Sequence, residues 1–172
     1  SLNDFPGQGY APVGVLDPFW DSKGLVTPED WRAFCAPTVA LLRYPKSAWF
    51  EDETFTAKAE VYNFGAAALK NAKIRWSITD GSGKAIAKGS LKSQTVGTDG
   101  VFPVGEFSAP LGKVRGPQKL TVHLKVGEKT SNSWDIWVYP RNAQLMQSDT
   151  EVLYTTEFGE QAKQYLAAGK KV

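Results

Sequence analysis

The alternation in "TFTAKAEVYNF" (54–64) constrains the fold more than any other feature of the chain. Phe55, Ala57, Ala59 and Val61 fall on one side of an extended backbone, and Thr56, Lys58 and Glu60 on the other. Successive side chains of a strand point to opposite faces, so this segment reads as a strand with one buried face. "AKIRWSIT" (72–79) repeats the pattern, with Ile74, Trp76 and Ile78 inward and Lys73, Arg75 and Ser77 outward. "DGSG" (80–83) is a hairpin turn, and "KAIAKGSLK" returns as its partner strand. "VFPVGEFSA", "KLTVHLKV" and "TSNSWDIWVYP" supply three more strands, the last two joined at "VGEK" around Gly127. At least six strands at spacings of roughly 8 to 15 residues, each with one polar face, indicate an antiparallel sandwich. The roughly 100 residues from Pro37 to Pro140 match the size of an immunoglobulin-like domain. No helices lie between these strands, which excludes a parallel barrel for this stretch.

The flanks differ. "DFPGQGYAPVG" is rich in turns, and Pro12 stands where a dinucleotide fingerprint needs a glycine, so that reading is rejected. "VGVL" (13–16) then reads as a short buried strand. In "TPEDWRAFCAP", Thr27 is the expected N-cap, Pro28 the first helical residue and Asp30 the capping-box acid. Trp31, Phe34 and Cys35 share one helix face, and Pro37 ends the helix by restricting Ala36. After the sandwich, "EVLYTT" reads as a strand and "FGEQAKQYLAAGKKV" as a helix closed by Gly169, with Phe158, Ala162, Tyr165 and Leu166 as its apolar stripe. A new strand begins at Lys171, so this is the opening of a βαβ unit whose parallel partner is expected beyond the chain. One strand and one amphipathic helix at the start make no domain alone, so the chain is expected to be a piece of a longer polypeptide, cut at both ends. The fold class is therefore mainly β: an immunoglobulin-like sandwich with a short N-terminal strand/helix arm and a C-terminal β-α piece.

Composition narrows the chemistry. The 172 residues carry 20 basic and 18 acidic side chains, a net charge of +2, and the basic residues are scattered; nothing here points to nucleic acid. No apolar run approaches the ~20 residues of a membrane-spanning helix. A single Cys (Cys35) and a single His (His123) exclude an intrachain disulfide and a zinc site built from Cys and His. The N-terminus has neither the basic start nor the apolar core of a signal peptide. No cofactor or metal site is expected.

Candidate site residues concentrate in "GVLDPFWDSKG" (14–24). Asp17 and Asp21 flank Phe19 and Trp20. A retaining glycosidase holds its carboxyls about 5 Å apart and an inverting one about 6.5 to 9.5 Å apart. Four steps of extended chain would place Asp17 and Asp21 about 13 Å apart, so they are not expected to work as a catalytic pair. Turn acids, or one acid orienting a ligand hydroxyl, both remain open. Trp20 suits either the apolar face of a sugar or a core contact with a helix. His123 lies on the outward register of its strand and is expected to be exposed. Glu51, Asp52 and Glu53 read as a solvated turn, since the other ligands of a calcium loop are missing. In "SWDIWVYP", Trp137 and Tyr139 fall on the outer face with Asp135; rings there indicate contact with a neighbouring domain, or sugar binding together with Trp49.

Together, "DFPGQG", "GVLDPFWDSKG", "PEDWRAFC", "YPKSAWFEDETFTAKAEVYNFG" and "SWDIWVYP" resemble, in order, the C-terminal part of bacterial glycoside hydrolases related to family 2, the β-galactosidase-like enzymes. The resemblance implies three regions: residues 1–36 as the end of a (β/α)8 barrel, 37–141 as an immunoglobulin-like β-sandwich, and 142–172 as the start of an α/β module. It places Trp20, Asp21 and Asp17 at the rim of the parent's sugar pocket, because barrel enzymes carry their sites at strand C-termini. It implies a catalytic barrel in the same polypeptide and a β-linked sugar as the parent's substrate, hydrolysed with retention. It also suggests a periplasmic or extracellular setting. The family's catalytic glutamates lie on earlier barrel strands, and no glutamate falls between Ser1 and Lys23, so no catalytic residue is expected here. The expected role is that of an accessory, non-catalytic region supporting the barrel; the rivals are a carbohydrate-binding module and a protein-binding immunoglobulin-like domain. The purified chain is expected to release no product from aryl β-glycosides, and hydrolysis that scales with the amount of protein would overturn that reading.

Overall fold

The computed structural model describes residues 2–5, 13–141 and 151–172. The turn-rich stretch with Pro6, Gly7, Gly9 and Pro12 lies outside the described residues. The chain divides into two compact units, Ser1–Tyr139 and Pro140–Val172.

The first unit holds helix α1 (Pro28–Phe34) and eight strands. These are β1 (Thr38–Arg43), β2 (Ala48–Phe50), β3 (Thr54–Asn63), β4 (Leu69–Thr79), β5 (Ala85–Val96), β6 (Gly100–Pro110), β7 (Gln118–Val126) and β8 (Thr130–Tyr139). They form a three-stranded sheet in the order β1-β3-β6 and a five-stranded sheet in the order β2-β8-β7-β4-β5. All pairings are antiparallel except that of β2, which runs parallel to β8. This is the immunoglobulin-like β-sandwich expected from the alternating pattern. The six expected strands are β3 to β8; β1 and β2 were not separately legible.

Alternation explains the core. Phe55, Ala57, Ala59 and Val61 of β3 are buried against Ile74 and Ile78 of β4, with Leu120, Val122, Leu124 and Val126 of β7 and Ile136 and Val138 of β8. On β6 the buried positions change parity, from Val104 to Phe107 and Ala109. The change falls at a break in register opposite Ala59 and Glu60, where Gly105 takes φ +131°. One extra residue in a strand turns every later side chain to the other face, and glycine accepts the backbone angle. Strand β6 is an edge strand, which is where Pro103 can forgo a ladder hydrogen bond.

Aromatic side chains join the sheets. The Trp76 ring stacks on Phe107 at 4.4 Å and 14° between planes, and Phe107 meets Phe55 at 6.0 Å. Phe55 in turn packs edge-on against Trp49 at 5.3 Å. Gly89 pairs with Trp76 across β5 and β4, and a Cβ on it would meet the indole at 2.8 Å. Asn63, fully buried, uses all its hydrogen-bonding capacity. Its amide donates to the carbonyls of Gly97 (2.6 Å) and Ala67 (3.3 Å), and its Oδ1 accepts from Thr38 Oγ1 (2.9 Å) and Gly65 N (3.2 Å).

The expected N-terminal strand is reduced to two single-residue bridges, Asn3 with Leu16 and Leu16 with Ser22. Among the described residues only Asp4 and Gly14 are buried in the arm that precedes β1. Helix α1 has the expected capping box, with Thr27 Oγ1 accepting from Asp30 N (3.1 Å) and Asp30 Oδ2 from Thr27 N (3.1 Å). None of its residues is buried.

In the second unit, helix α2 (Glu160–Ala167) buries only Ala162, while Phe158 and Leu166 of the expected stripe are exposed. It ends in a Schellman motif: Gly169 (φ +75°) donates to Leu166 O at 3.0 Å and Lys170 to Tyr165 O at 2.9 Å. Val152 and Lys171 pair in parallel, through Leu153 N to Lys171 O and Lys171 N to Glu151 O, both at 2.9 Å. The parallel partner expected beyond the chain is thus Lys171 itself, because the eight-residue helix spans back to Val152. Phe107→Ala, which removes the middle ring of the cross-sheet stack, is expected to destabilise the sandwich by about 3–5 kcal/mol in chemical denaturation. A loss below about 1 kcal/mol would show that the stack is not what couples the sheets.

Candidate functional site

The segment 14–24 folds back on itself. Asp17 N donates to Asp21 O (2.9 Å) and Trp20 N to Asp17 O (3.1 Å). Asp17 Oδ1 accepts from Phe19 N (2.8 Å) and Asp21 N (2.9 Å). The extended separation expected of Asp17 and Asp21 is therefore wrong: Pro18 starts a tight turn, and Trp20 closes it in the left-handed region at φ +70°. The Asp17 carboxylate is engaged through Oδ1 with the turn's own amides. Left-handed geometry costs a residue with a Cβ roughly 1–2 kcal/mol. It is held here with Phe19 83% and Trp20 60% exposed. Trp20 is not a core residue of this chain.

An ion pair anchors the turn. Lys23 Nζ contacts Asp4 Oδ2 at 2.9 Å, Asp4 Oδ1 at 3.1 Å and Gly14 O at 3.0 Å. Gly14 N donates to Asp4 Oδ1 at 2.8 Å. The segments run so close that a Cβ on Gly14 would lie 2.2 Å from the Asn3 carbonyl carbon, so only glycine fits. The Lys23 hydrogen bond, followed by that from Gly14, holds the Asp4 carboxyl below its ordinary value of 3.8. Sequence reasoning missed this latch because Gly14 and Lys23 lie 10 and 19 residues from Asp4.

The second cluster lies on the outer face of β8. Trp137 (41% exposed) and Tyr139 (43%) both face outward as expected. The ring that joins them is Phe50, which pairs with Tyr139 across β2 and β8. Trp49, the residue expected there, is 5% exposed and points into the core, its indole N–H without an acceptor among the described residues. Beside the rings, Lys119 Nζ bonds Asp135 Oδ2 at 3.0 Å and Thr121 Oγ1 bonds Asp135 Oδ1 at 2.9 Å. These contacts, that of Lys119 first, hold the Asp135 carboxyl below its usual value.

His123 is half-buried rather than exposed, with Nε2 at 3.1 Å from Thr79 Oγ1. The acidic stretch 51–53 is a turn, in which Glu53 accepts from Lys46 Nζ and Phe50 N, each at 2.7 Å. Among the described residues no three His, Cys, Asp or Glu side chains are grouped to hold a metal ion, and no helix is long and apolar enough to cross a membrane.

A protein-family model described as "Domain of unknown function (DUF8488)" matches residues 53–140, just over half of the chain. The chain belongs to this family. The DUF8488 match begins just before β3 and ends just after β8. It leaves out the turn at Trp20 and helix α1, but includes Trp137 and Tyr139. No curated protein matches the chain. Similar solved structures include a β-glucosidase from Erythrobacter marinus, at 15% identity over 59% of this chain and 15% of that one, TM-score 0.43. A putative β-galactosidase from Bacteroides fragilis is similar at 10% identity over 56% of this chain and 15% of that one, TM-score 0.40. A CARDB domain from Pyrococcus furiosus, solved in complex with di-metal ions, is similar at 12% identity over 60% of this chain and 93% of that domain, TM-score 0.46. The chain thus spans a small fraction of either glycosidase.

Gly14→Ala is expected to release the arm and leave the sandwich folded. Hydrogen exchange should accelerate at Asp4, Gly14 and Leu16 but not in β3, β4 or β7; equal protection of the arm would remove the latch. The depressed Asp4 carboxyl sets the direction of the pH dependence. The latch is complete well above pH 3.8 and is lost as pH falls through the lower folded-state value. Arm exchange should therefore rise selectively in acid, and Asp4→Asn should abolish that pH dependence.

Proposed function

We propose that this chain is an accessory, non-catalytic β-sandwich region of a glycoside hydrolase related to family 2, and that it supports a catalytic barrel in the same polypeptide. The observation that carries this reading is the N-terminal arm. Among its described residues it exposes Val13, Phe19, Trp20, Leu25 and Phe34 and buries only Asp4 and Gly14. Large apolar side chains left exposed along one segment suit a contact, and a latched turn that holds Trp20 in a strained conformation is shaped to present that ring. In this reading residues 1–36 complete the barrel, 37–141 are the sandwich, and 142–172 begin a further module. Trp20, with Asp21 and Asp17 behind it, forms one wall of the parent's sugar pocket. Trp137 and Tyr139 meet a neighbouring domain. The parent acts on a β-linked sugar with retention, outside the cytoplasm.

A second reading has its own support. Phe50, Trp137 and Tyr139 are exposed together at the edge of a sheet, with Lys119 and Asp135 alongside. Rings flanked by polar groups suit a neutral glycan directly. Trp137→Ala separates the two: loss of retardation in a neutral-glycan affinity gel favours direct binding.

Acrylamide quenching tests the main proposal. With Trp20→Phe and Trp137→Phe used to assign the signals, both indoles should be quenched in this chain and protected when it is joined to its barrel. Equal quenching in both settings would overturn the accessory role.

A further inference from the structure

The outer face of the five-stranded sheet carries a cleft of about 1230 Å3 whose other wall is α1. Two rungs of paired residues cross β5, β4, β7 and β8 on its floor. One is Ser90, Arg75, Lys125 and Ser131; the next is Lys88, Ser77, His123 and Ser133. Alternation forces all eight onto one face, because Ile74, Trp76, Ile78, Leu124 and Val122 occupy the other. Every one of the eight lines the cleft. The floor therefore consists of hydroxyls interleaved with cationic and imidazole groups.

Charge is uneven across the cleft. Its lining includes Arg32, Arg75, Lys88, Lys125 and Lys129 against Glu29 and Asp30. Both acids are engaged within α1 and its cap: Glu29 bonds Arg32 at 2.7 Å, and Asp30 bonds Thr27 Oγ1 at 2.7 Å. Glu128, at the β7–β8 turn, lies 3.5 Å from both Arg75 and Lys125 and is itself 72% exposed. Exposed pairs of that length contribute little and exchange readily. Among the described residues, Lys88 and Lys129 have no acidic partner.

The floor also lacks what other ligands need. Trp76 borders the cleft, but its ring is stacked on Phe107 inside the sandwich. Among the lining residues the small imidazole of His123 is then the one aromatic ring left, and no Trp, Tyr or Phe remains as a broad platform for a nucleobase or for the apolar face of a neutral sugar. Binding must come from charge and from hydrogen bonds to hydroxyls. Cations diluted by serines match a ligand with one anionic group per unit among several hydroxyls, rather than one with charges massed together.

We infer that this cleft binds a carboxylated oligosaccharide, a uronate chain lying across the two rungs. The inference deepens the carbohydrate-active reading above and rests on it, by naming the class of glycan that the sandwich itself would hold. It concerns the opposite end of the outer face from the aromatic edge at Trp137, and a surface apart from the turn at Trp20.

Affinity electrophoresis of the whole 172-residue chain tests it, in gels containing polygalacturonate, neutral dextran or dextran sulfate. Polygalacturonate should retard the chain, less so as salt is raised, and neutral dextran should not. Lys88→Gln and Lys125→Gln should each weaken retardation by about tenfold, the worth of one charge-assisted hydrogen bond. Lys58→Gln, on the opposite sheet, should change nothing. Three results would each overturn the assignment: no retardation by polygalacturonate, cleft variants indistinguishable from Lys58→Gln, or stronger retardation by dextran sulfate. The last would make the face a general polyanion surface. The accessory reading fails separately, because the quenching comparison involves neither Lys88 nor Lys125 and the gel requires no barrel.

Discussion

The stack of Trp76 on Phe107 is the contact on which the sandwich depends. Each ring comes from a different sheet, so the 4.4 Å approach sets how the two sheets lie against each other. Burial of the pair removes a large apolar area from water, and offset stacking adds roughly 0.5–1.5 kcal/mol beyond that area. Two sequence features permit it. Gly89 leaves room for the indole across the β4–β5 pair, and the register break at Gly105 turns Phe107 inward after Val104. Phe55 and Trp49 extend the aromatic contact towards the far edge of the sheet, where β2 joins.

What faces outward follows from what the stack holds inward. Once Ile74, Trp76 and Ile78 are committed to the core, Arg75 and Ser77 must face away from it. The same holds for His123 and Lys125 beside Leu124. The polar floor under α1 and the aromatic edge at Trp137 are therefore opposite ends of one outer face. They differ in the side chains that the outward positions carry. The N-terminal arm obeys other physics. Among its described residues only Asp4 and Gly14 are buried, and the Asp4–Lys23 ion pair with the hydrogen bonds around Gly14 ties its turn down while Phe19 and Trp20 stay exposed.

Most of the sandwich was legible because alternation over about eight to twelve residues is a strong signal. Strand β2 was not, for it has three residues and pairs in parallel with β8, far along the chain. In so short a strand a shift of one residue exchanges the two faces, and that decided between Trp49 and Phe50. Asp17 and Asp21 were misplaced for a related reason. Proline at position 18 permits a turn but does not require one, and the left-handed angle at Trp20 depends on amides satisfied by Asp17.

The sequence by itself determined the sandwich, the capped helix α1, the glycine-terminated helix α2 and the outward direction of Trp137 and Tyr139. Each rests on periodicity or on chemistry within a few residues. Only the tertiary structure decided which rings share a surface, that Asp4, Gly14 and Lys23 form a latch, and that two rungs of serines and cations lie beneath α1. These depend on pairings between distant segments, where the chain's local pattern names the face but not the neighbour across it.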